Sequence, residues 1–243
     1  MIPADNVLVV VPARGGSKRI PKKNIKLIAG QPMIFWPLME ISKLFDASNV
    51  IVSTDDHEIA DKVASIGLKT PFKRPKKLSD DYTGTFEVTN HALDWYEKEV
   101  GRIDYVLTVY PTAVLLSSKD IINAINLLKE DTSCDMVMSA TNFPFPIGRA
   151  VFTNKDGYAE MFQPENYLTR SQDLAEAFHD AGQFYVSKAH SIRTEKIFTS
   201  LNIRLQHLHR NNVVDIDTPE DFEVAEEKLN FIKSKIPIKK WSF

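Results

Sequence analysis

A segment near the amino terminus, VLVVVPARGGSKRIPKKN (residues 7–24), restricts the possible folds of this chain more than any other segment. It begins with five consecutive apolar residues, Val7 to Val11, which is typical of a strand buried on both faces, as in a parallel sheet. Gly15 and Gly16 follow, and glycine lets the backbone turn tightly and bring its N–H groups close to a ligand. The segment therefore predicts a ligand-binding turn at the carboxyl end of a central strand.

The same turn is rich in cationic side chains: Arg14, Lys18, Arg19, Lys22 and Lys23. Cations beside a glycine turn are suited to holding a polyphosphate. The alternative is a solvated basic loop that follows a core strand. The segment matches neither the P-loop, Gly-x4-Gly-Lys-Ser/Thr, nor the dinucleotide fingerprint, Gly-x-Gly-x-x-Gly. We therefore expect a phosphate site of another kind.

Composition limits the class of protein. The chain has 243 residues, of which 43% are hydrophobic, and this predicts one sizeable core in a single domain over residues 1–243. A net charge of −2 gives no global attraction to nucleic acid or to an anionic membrane, and no apolar run is long enough to cross a bilayer. The single cysteine, Cys134, excludes an internal disulfide and lies beside an apolar run, so we expect it to be buried and inert. The first residues lack the features of a signal peptide, so a cytoplasmic location is expected.

Strands and helices alternate along the chain, which predicts right-handed βαβ units and a mostly parallel sheet. Strands are predicted at residues 7–11, 50–54, 105–110, 136–140 and 178–186. Helices are predicted at residues 32–45, 57–66, 86–98 and 118–130, and from residue 218 onward. Pro37 is unfavourable inside a helix, so the first helix either begins after it or is kinked there.

Polar residues follow the second strand and precede the third helix. Asp55 and Asp56 either contact a ribose or metal or cap the next helix, and capping is the preferred interpretation. The long polar loop from residue 70 to residue 85 is typical of a functional loop. Its last residue, Thr85, is also a candidate for the cap of the helix that follows.

The segment from residue 142 to residue 173 differs from the rest of the chain. Asn154 to Gly157 form a strong hairpin turn signal between two short apolar runs, so we predict a β excursion out of the sheet. Its aromatic residues indicate a contact between two copies of the chain, and the alternative is a flap over its own site. These aromatic residues are Phe143, Phe145, Phe162 and Tyr167.

Two aspartates near the end of the chain, Asp215 and Asp217, alternate along an extended segment, so both side chains point to one face. Two such carboxylates can share a hard cation such as Mg²⁺, with triphosphate oxygens completing the coordination. Thr218, Pro219 and Asp221 then have the pattern of a helix start, with Thr218 as the N-cap. The alternative treats all these acids as part of that helix start, but it does not explain Asp215 and Asp217.

These motifs together resemble the CMP-sugar synthetases that activate nonulosonic acids. PARGGSKRIPKKN resembles the nucleotide signature of that family, and RPKKLSDDYTGT resembles its second nucleotide segment. The resemblance covers residues 7–227 and implies a Rossmann-type α/β nucleotidyltransferase of glycosyltransferase-A-like architecture that binds CTP. The nucleotide-binding residues that it implies are Ala13, Arg14, Gly15, Gly16, Ser17, Lys23, Asn24, Arg74, Ser79, Asp80 and Thr85.

The resemblance also implies an acid sugar as the second substrate. Tyr110 replaces the glutamine that sialic acid synthetases carry before Pro-Thr, and His-Asp-Ala-Gly-Gln-Phe-Tyr at residues 179–185 resembles the branch that uses pseudaminic acid. That branch usually has tryptophan where this chain has Val186, a difference that a strand interior tolerates. A guanidinium can hold the sugar carboxylate bidentately. The sugar-binding residues that it implies are Tyr110, Arg149, Gln163, Arg170 and Gln183.

The predicted reaction is Mg²⁺-dependent: CTP and pseudaminic acid give CMP-pseudaminic acid and pyrophosphate. The resemblance implies catalytic roles for Arg14, Lys18, Lys23, Asp215 and Asp217, and a homodimer in which the excursion reaches the partner's site. No general base is evident, because a lone histidine such as His179 is more often structural. The alternatives are another acid (sialic, legionaminic or Kdo), a glycosyltransferase, and a catalytically silent nucleotide-binding regulator.

Overall fold

The computed structural model describes residues 6–193 and 200–235. The helices are α1 (Phe35–Ser42), α2 (His57–Ala64), α3 (Thr85–Glu99), α4 (Ser118–Glu130), α5 (Ala189–Arg193) and α6 (Pro219–Lys235). The strands are β1 (Val7–Pro12), β2 (Leu27–Ile28), β3 (Gln31–Pro32), β4 (Val50–Ser53), β5 (Tyr105–Val109), β6 (Met136–Asn142), β7 (Val151–Thr153), β8 (Ala159–Met161), β9 (Phe178–Lys188) and β10 (Ile203–His207).

Six strands form the central sheet in the order β10-β6-β9-β5-β1-β4. Strand β1 pairs in parallel with β4 and β5, and β10 pairs in parallel with β6. Strand β9 runs antiparallel between β5 and β6. The five predicted strands are confirmed, each ending within two residues of its expected end. The reversal of β9 and the edge strand β10 were not predicted.

Both faces of the sheet are covered by helices, as the unbroken apolar run of β1 requires. Val7, Val9 and Val11 pack in a core cluster with side chains of α1, α2 and α4. Leu8 and Val10 point to the opposite face, where they pack with side chains of α3 and α5. All five of these side chains are fully buried. Strand β1 therefore holds the glycine loop that follows it in a fixed position.

A third apolar cluster holds α6, the last helix that the structure describes. Trp36 of α1 and Ile28 of β2 pack with Phe222 and Leu229 of α6. The indole N–H of Trp36 donates to the Ile28 carbonyl at 3.1 Å. This packing places α6, and the acidic segment that precedes it, beside the glycine loop of β1.

The helix starts show how local sequence competes with distant contacts. Helix α1 begins at Phe35, so Pro37 lies in its first turn, where a missing backbone N–H removes no helical hydrogen bond. Asp56 caps α2 by accepting from the backbone N–H groups of Glu58 and Ile59, as preferred. The N-cap of α3 is Gly84, so the prediction that Thr85 caps this helix is wrong. The Thr85 hydroxyl has another partner, which lies in the site described below.

The predicted excursion is confirmed as a separate two-stranded sheet of β7 and β8. Its turn closes through a hydrogen bond from the Gly157 N–H to the Asn154 carbonyl at 3.0 Å, and Gly157 has a φ of 86°, which favours glycine. The excursion exposes large apolar side chains, among them Val151, Tyr158 and Phe162. It therefore presents an apolar surface within residues that the structure describes.

Two further expectations can be compared with the fold. Cys134 is buried, and its thiol donates to the Met136 carbonyl at 3.1 Å, as expected for a structural cysteine. In the described ranges, 6–193 and 200–235, none of the helices combines the length and hydropathy that crossing a bilayer requires.

Candidate active site

A cavity of about 490 Å³ opens where β1 and β5 end at their carboxyl termini. This is the edge at which open α/β sheets bind their ligands. The cavity brings together residues from five separate segments of the chain. The predicted site residues that line it are Arg14, Ser17, Lys18, Lys23, Asn24, Arg74, Asp80, Thr85, Tyr110, Asp215 and Asp217.

Hydrogen bonds and close packing fix the glycine loop from behind. The Gly15 N–H donates to the Asp55 carboxylate at 3.0 Å, and the Asn24 amide donates to the Arg14 carbonyl at 2.9 Å. A Cβ added to Gly15 would lie 2.4 Å from the carboxylate oxygen of Asp56, closer than real contacts allow. The two acids after β4 therefore have different roles: Asp56 caps α2, whereas Asp55 holds the loop.

The cations of the loop are neutralised by the polar loop after residue 70. Arg14 Nη1 lies 2.8 Å from Asp81 Oδ1, and Lys18 Nζ forms an ion pair with the other oxygen of Asp81. Arg14 also donates to the Asp80 carbonyl at 2.6 Å. The hydrogen bond that Asp81 accepts from Lys18, followed by the one from Arg14, holds the pKa of Asp81 below its usual value. Asp81 therefore pairs with two cations, Arg14 and Lys18, that could otherwise bind a phosphate.

A second set of ion pairs joins the same loop to the acidic segment before α6. Lys23 Nζ donates to the Ile216 carbonyl at 2.6 Å and lies 3.2 Å from Asp217 Oδ1. Arg19 lies 2.9 Å from the other carboxylate oxygen of Asp217. The Lys23 side chain is largely buried, so this pair is screened less by solvent than the exposed pairs of the loop.

The two aspartates of this segment are close enough to interact. Burial raises the pKa of Asp215, and the nearby charge of Asp217 raises that pKa further. Oxygen ligands of this kind suit a hard cation such as Mg²⁺. Over the described ranges no group of three or more His, Cys, Asp or Glu side chains is arranged to hold a metal ion. Asp215 and Asp217 could therefore hold Mg²⁺ only together with oxygens from a substrate or water.

Arg74 is buried beside the cavity and anchored to β4. Its side chain donates to the hydroxyl of Ser53 at 3.1 Å and also to the Ser53 carbonyl. Burial lowers the pKa of Arg74 to about 10, so the guanidinium remains charged at neutral pH. Because β4 fixes it from behind, the arginine is a rigid donor in the wall of the cavity.

Another part of the cavity wall carries hydroxyl groups. The Thr85 hydroxyl lies 2.7 Å from the Tyr110 hydroxyl, and the Tyr110 ring packs edge-on against the Tyr185 ring at 5.9 Å between centroids. The Tyr185 hydroxyl donates to the Asp180 carboxylate. Thr85 therefore serves this wall instead of the cap of α3.

Four of the predicted nucleotide-binding residues do not line the cavity. Ala13 is fully buried and its N–H donates to the Ser53 carbonyl at 2.9 Å. Gly15 is turned toward Asp55, and the Ser79 hydroxyl donates to the Pro75 carbonyl at 3.1 Å. Gly16, the fourth of them, is not part of the lining either. Ala13 and Gly15 thus hold the glycine loop through backbone hydrogen bonds, and Ser79 holds the polar loop through its hydroxyl.

Gln183, a predicted sugar contact, does not line the cavity. Its side chain is buried and donates to the Asn212 carbonyl at 2.6 Å, so it fastens β9 to the segment after β10. His179 is also structural: its Nδ1 lies 2.8 Å from the Asp180 carbonyl, and its ring packs on Phe143. These contacts are those of a structural histidine, and the structural role of His179 stays a prediction.

The three remaining sugar candidates lie on the excursion, away from the cavity of their own chain. The Arg149 guanidinium donates to the Thr169 carbonyl, and the Gln163 side chain accepts from Asn166 at 2.8 Å. Arg170 is exposed in the same region. None of these three residues lines the cavity of its own chain.

The structure adds residues to the site that the sequence did not identify as site residues. Asp81 neutralises two cations, Arg19 pairs with Asp217, and Asp180 and Tyr185 complete the hydroxyl wall. Asp81 had a local signal, since it lies next to Asp80 in the polar loop. Asp180 and Tyr185 belong to the motif at residues 179–185, but the motif did not mark them as site residues, because they enter the site through the antiparallel pairing of β9 with β5 and β6.

Comparison with known proteins identifies the family of this chain. A family model described as "Cytidylyltransferase" matches residues 8–233. The chain is 38% identical to a pseudaminic acid cytidylyltransferase of Campylobacter jejuni subsp. jejuni, over 90% of this chain and 94% of that protein. It is 27% identical to a CMP-N,N'-diacetyllegionaminic acid synthase of Legionella pneumophila, over 92% of this chain and 96% of that protein.

A solved structure shares the fold. The CMP:2-keto-3-deoxy-manno-octonic acid synthetase complexed with CTP has a TM-score of 0.68 and 17% identity, and the match covers 95% of this chain and all of that one. The fold is therefore that of an α/β Rossmann-like nucleotidyltransferase, as expected. With the family model matching almost the whole length, the chain belongs to the cytidylyltransferase family and is a nucleotidyltransferase.

Proposed function

We propose that this chain catalyses the reaction of CTP with pseudaminic acid to give CMP-pseudaminic acid and pyrophosphate. The observation that carries the proposal is that the cations of the glycine loop and the carboxylates of Asp215 and Asp217 face one cavity. A relative named for pseudaminic acid is 38% identical to this chain, whereas one named for a legionaminic acid is 27% identical. This difference supports pseudaminic acid over the other nonulosonic acids.

The anomeric hydroxyl of the acid would attack the α-phosphorus of CTP, and the bond from that phosphorus to pyrophosphate would break. Such a transfer needs alignment and neutralisation of charge more than covalent help from the protein. Arg14, Lys18 and Lys23 would hold the triphosphate and the departing pyrophosphate, and Ser17 lies among them. Arg74, fixed by Ser53, would orient the nucleotide from the cavity wall.

Asp215 and Asp217 would hold Mg²⁺ together with phosphate oxygens. The metal, when bound, supplies neutralisation of the reacting phosphate. In this structure Asp217 forms ion pairs with Lys23 and Arg19, and both of these cations line the cavity. A cation on Asp217 would leave these two side chains to pair with the triphosphate.

We also propose that the active form is a homodimer. Phe152 and Phe162 pack on each other at 4.9 Å between ring centroids, yet Phe162 is still 66% exposed. An exposed apolar surface on an arm that extends from the central sheet is suited to contact with a second copy. In such a dimer Arg149, Gln163 and Arg170 would reach the cavity of the partner, where their donors could hold the sugar carboxylate.

The experiment is pyrophosphate release from CTP and Mg²⁺ with pseudaminic, N-acetylneuraminic and legionaminic acids offered separately. Mass spectrometry of each mixture identifies the CMP-linked product. We expect release and a CMP-sugar with pseudaminic acid, and loss of both after chelation with EDTA. Pyrophosphate release without any CMP-sugar, or a CMP-sugar from another acid alone, would overturn the proposed reaction.

A matched pair of variants tests the metal assignment. Asp215→Ala removes a proposed ligand, and we expect it to lower turnover severely while the protein stays folded. Asp46→Ala removes an exposed carboxylate that caps no helix through its side chain, and we expect it to leave turnover unchanged. Full activity of Asp215→Ala at ordinary Mg²⁺ concentration would contradict the role of that carboxylate.

A further inference from the structure

A row of polar groups runs along one wall of the cavity. The Thr85 hydroxyl meets the Tyr110 hydroxyl at 2.7 Å, Tyr110 and Tyr185 lie side by side, and the Tyr185 hydroxyl reaches a carboxylate oxygen of Asp180. All four side chains line the cavity. The proposed reaction needs an acid co-substrate in the same cavity that the cationic loop lines.

Asp180 is held as an acceptor at the end of this row. One carboxylate oxygen accepts the Tyr185 hydroxyl, and the other accepts the Gly182 N–H at 2.8 Å. Both oxygens are thus engaged in hydrogen bonds within β9. A carboxylate has no proton to donate, so the proton of Tyr185 must point toward Asp180.

That constraint leaves the Tyr185 oxygen as an acceptor on the cavity side, because its one proton is held in the hydrogen bond to Asp180. The Tyr110 and Thr85 hydroxyls bond each other at 2.7 Å, and either of them can be the donor. Burial raises the pKa of both tyrosines, so both hydroxyls keep their protons at neutral pH.

We propose that Asp180 is a positioning residue that sets the hydrogen-bond polarity of this wall, so that Tyr185 offers an acceptor oxygen to a hydroxyl or amide N–H group of the co-substrate. The inference rests on the proposed function, because it assigns the wall to the sugar acid. An acceptor wall repels carboxylate and phosphate groups. It therefore orients the sugar with its acidic group away from the wall and its donor groups against it.

The central test is Asp180→Asn, which keeps the size of the side chain. An amide has one acceptor oxygen and one donor nitrogen, so it cannot accept from both Tyr185 and Gly182. If its oxygen keeps the Gly182 N–H, its nitrogen faces Tyr185 and turns the proton of the Tyr185 hydroxyl away from residue 180. We expect the KM for pseudaminic acid to rise about tenfold or more, with the KM for CTP unchanged within about twofold. Asp46→Asn, the same change at an exposed site, should alter neither constant.

A double-mutant cycle separates this role from a structural one. Tyr185→Phe removes the hydroxyl through which Asp180 acts, so Asp180→Asn should add almost nothing in its presence. Tyr185→Phe alone should raise the KM for the acid and leave the KM for CTP unchanged. It also serves as the test if Asp180→Asn fails to fold, which a thermal unfolding midpoint reveals.

The outcomes distinguish this inference from the proposed function. Two results would overturn the role of Asp180 and leave the proposed reaction intact. In the first, Asp180→Asn keeps the wild-type turnover and the wild-type KM for the acid. In the second, it raises both KM values equally, and its effect adds to that of Tyr185→Phe. If the wild-type chain binds the acid in calorimetry but shows no turnover, the proposed reaction is overturned. In that case, weaker binding of the acid by Asp180→Asn would still support the role of Asp180 in binding the acid. A wild-type chain that neither turns over nor binds any of the acids overturns both.

Discussion

The Lys23 ammonium lies 3.2 Å from the Asp217 carboxylate and donates to the Ile216 carbonyl at 2.6 Å. Lys23 lies 193 residues before Ile216 and 194 residues before Asp217 in the chain. These contacts therefore join the glycine loop after β1 to the segment before α6. A residue suited to hold phosphate is thereby placed next to a residue suited to hold a metal ion. The pair brings the two charged halves of the proposed triphosphate site together.

Lys23→Ala is therefore expected to lower kcat/KM about a hundredfold, since it removes a charge aimed at the reacting phosphates. The control is Lys22→Ala, because the neighbouring Lys22 pairs with Glu58 on the surface and does not line the cavity. Exposed pairs of that kind contribute little. Steady-state rates of pyrophosphate release with both variants provide the measurement, and equal losses in the two would contradict the assignment.

Asp81→Asn is expected to strengthen binding of CTP. Arg14 and Lys18 would be released from their ion pairs, which a triphosphate must otherwise displace. Because the Lys18 side chain is 80% exposed, solvent screens the effect, and we expect about a threefold lower Kd at low salt that fades as salt is added. Calorimetric titration with CTP measures it. Weaker binding would instead mean that Asp81 contacts the nucleotide.

Gly15→Ala should destabilise the protein, because the new Cβ would meet the carboxylate of Asp56. Asp56 cannot move without losing its cap on α2. The expected loss is about 1–3 kcal/mol in the free energy of unfolding. Gly16→Ala is the matched control, since nothing lies within 4 Å of its added Cβ. Urea unfolding of the two variants measures the difference, and equal stabilities would show that the loop adapts freely.

Stability is expected to fall with acidification partly through His91. Burial lowers the pKa of His91, and its Nδ1 has no hydrogen-bond partner within the described chain. As the pH falls through about 6.5, the unfolded chain takes up a proton at this histidine before the folded chain does, so folding becomes less favourable. The loss is complete once the pH is below the lowered pKa of the folded state.

His91→Phe keeps the ring packing on Phe72 and removes the titrating group. Its urea midpoint should therefore drop less than that of the wild type between pH 7.5 and pH 5. The exposed His57 offers the control, and His57→Gln should retain the pH dependence of the wild type. An equally steep dependence in His91→Phe would show that other groups cause the acid sensitivity.

Local patterns in the sequence predicted the features that depend on neighbours in the chain. The apolar run of β1 identified a central strand, and Thr218 with Asp221 forms the predicted helix start, in which the Asp221 carboxylate accepts from the Thr218 N–H at 2.8 Å. Ser117 caps α4, with its hydroxyl accepting from the Lys119 N–H at 3.3 Å. In each case the contacts that decide the structure lie within a few residues.

The features that the sequence missed depend on long-range pairing. The direction of β9 is set by its partners β5 and β6, so an apolar pattern alone did not reveal it. Thr85 looked like a cap because it precedes a helix, yet its hydroxyl bonds Tyr110 from another strand. Gln183 lies two residues from Tyr185 in β9, but the first fastens the backbone and the second lines the cavity.

The most direct test of the account is a competition in one vessel. Pseudaminic, N-acetylneuraminic and legionaminic acids are supplied at equal concentration with limiting CTP and Mg²⁺, and the ratio of CMP-linked products is measured by mass spectrometry. That ratio reports the relative kcat/KM values, which define specificity. The account predicts that CMP-pseudaminic acid predominates. A different CMP-sugar as the main product, or none at all from folded protein, would contradict it.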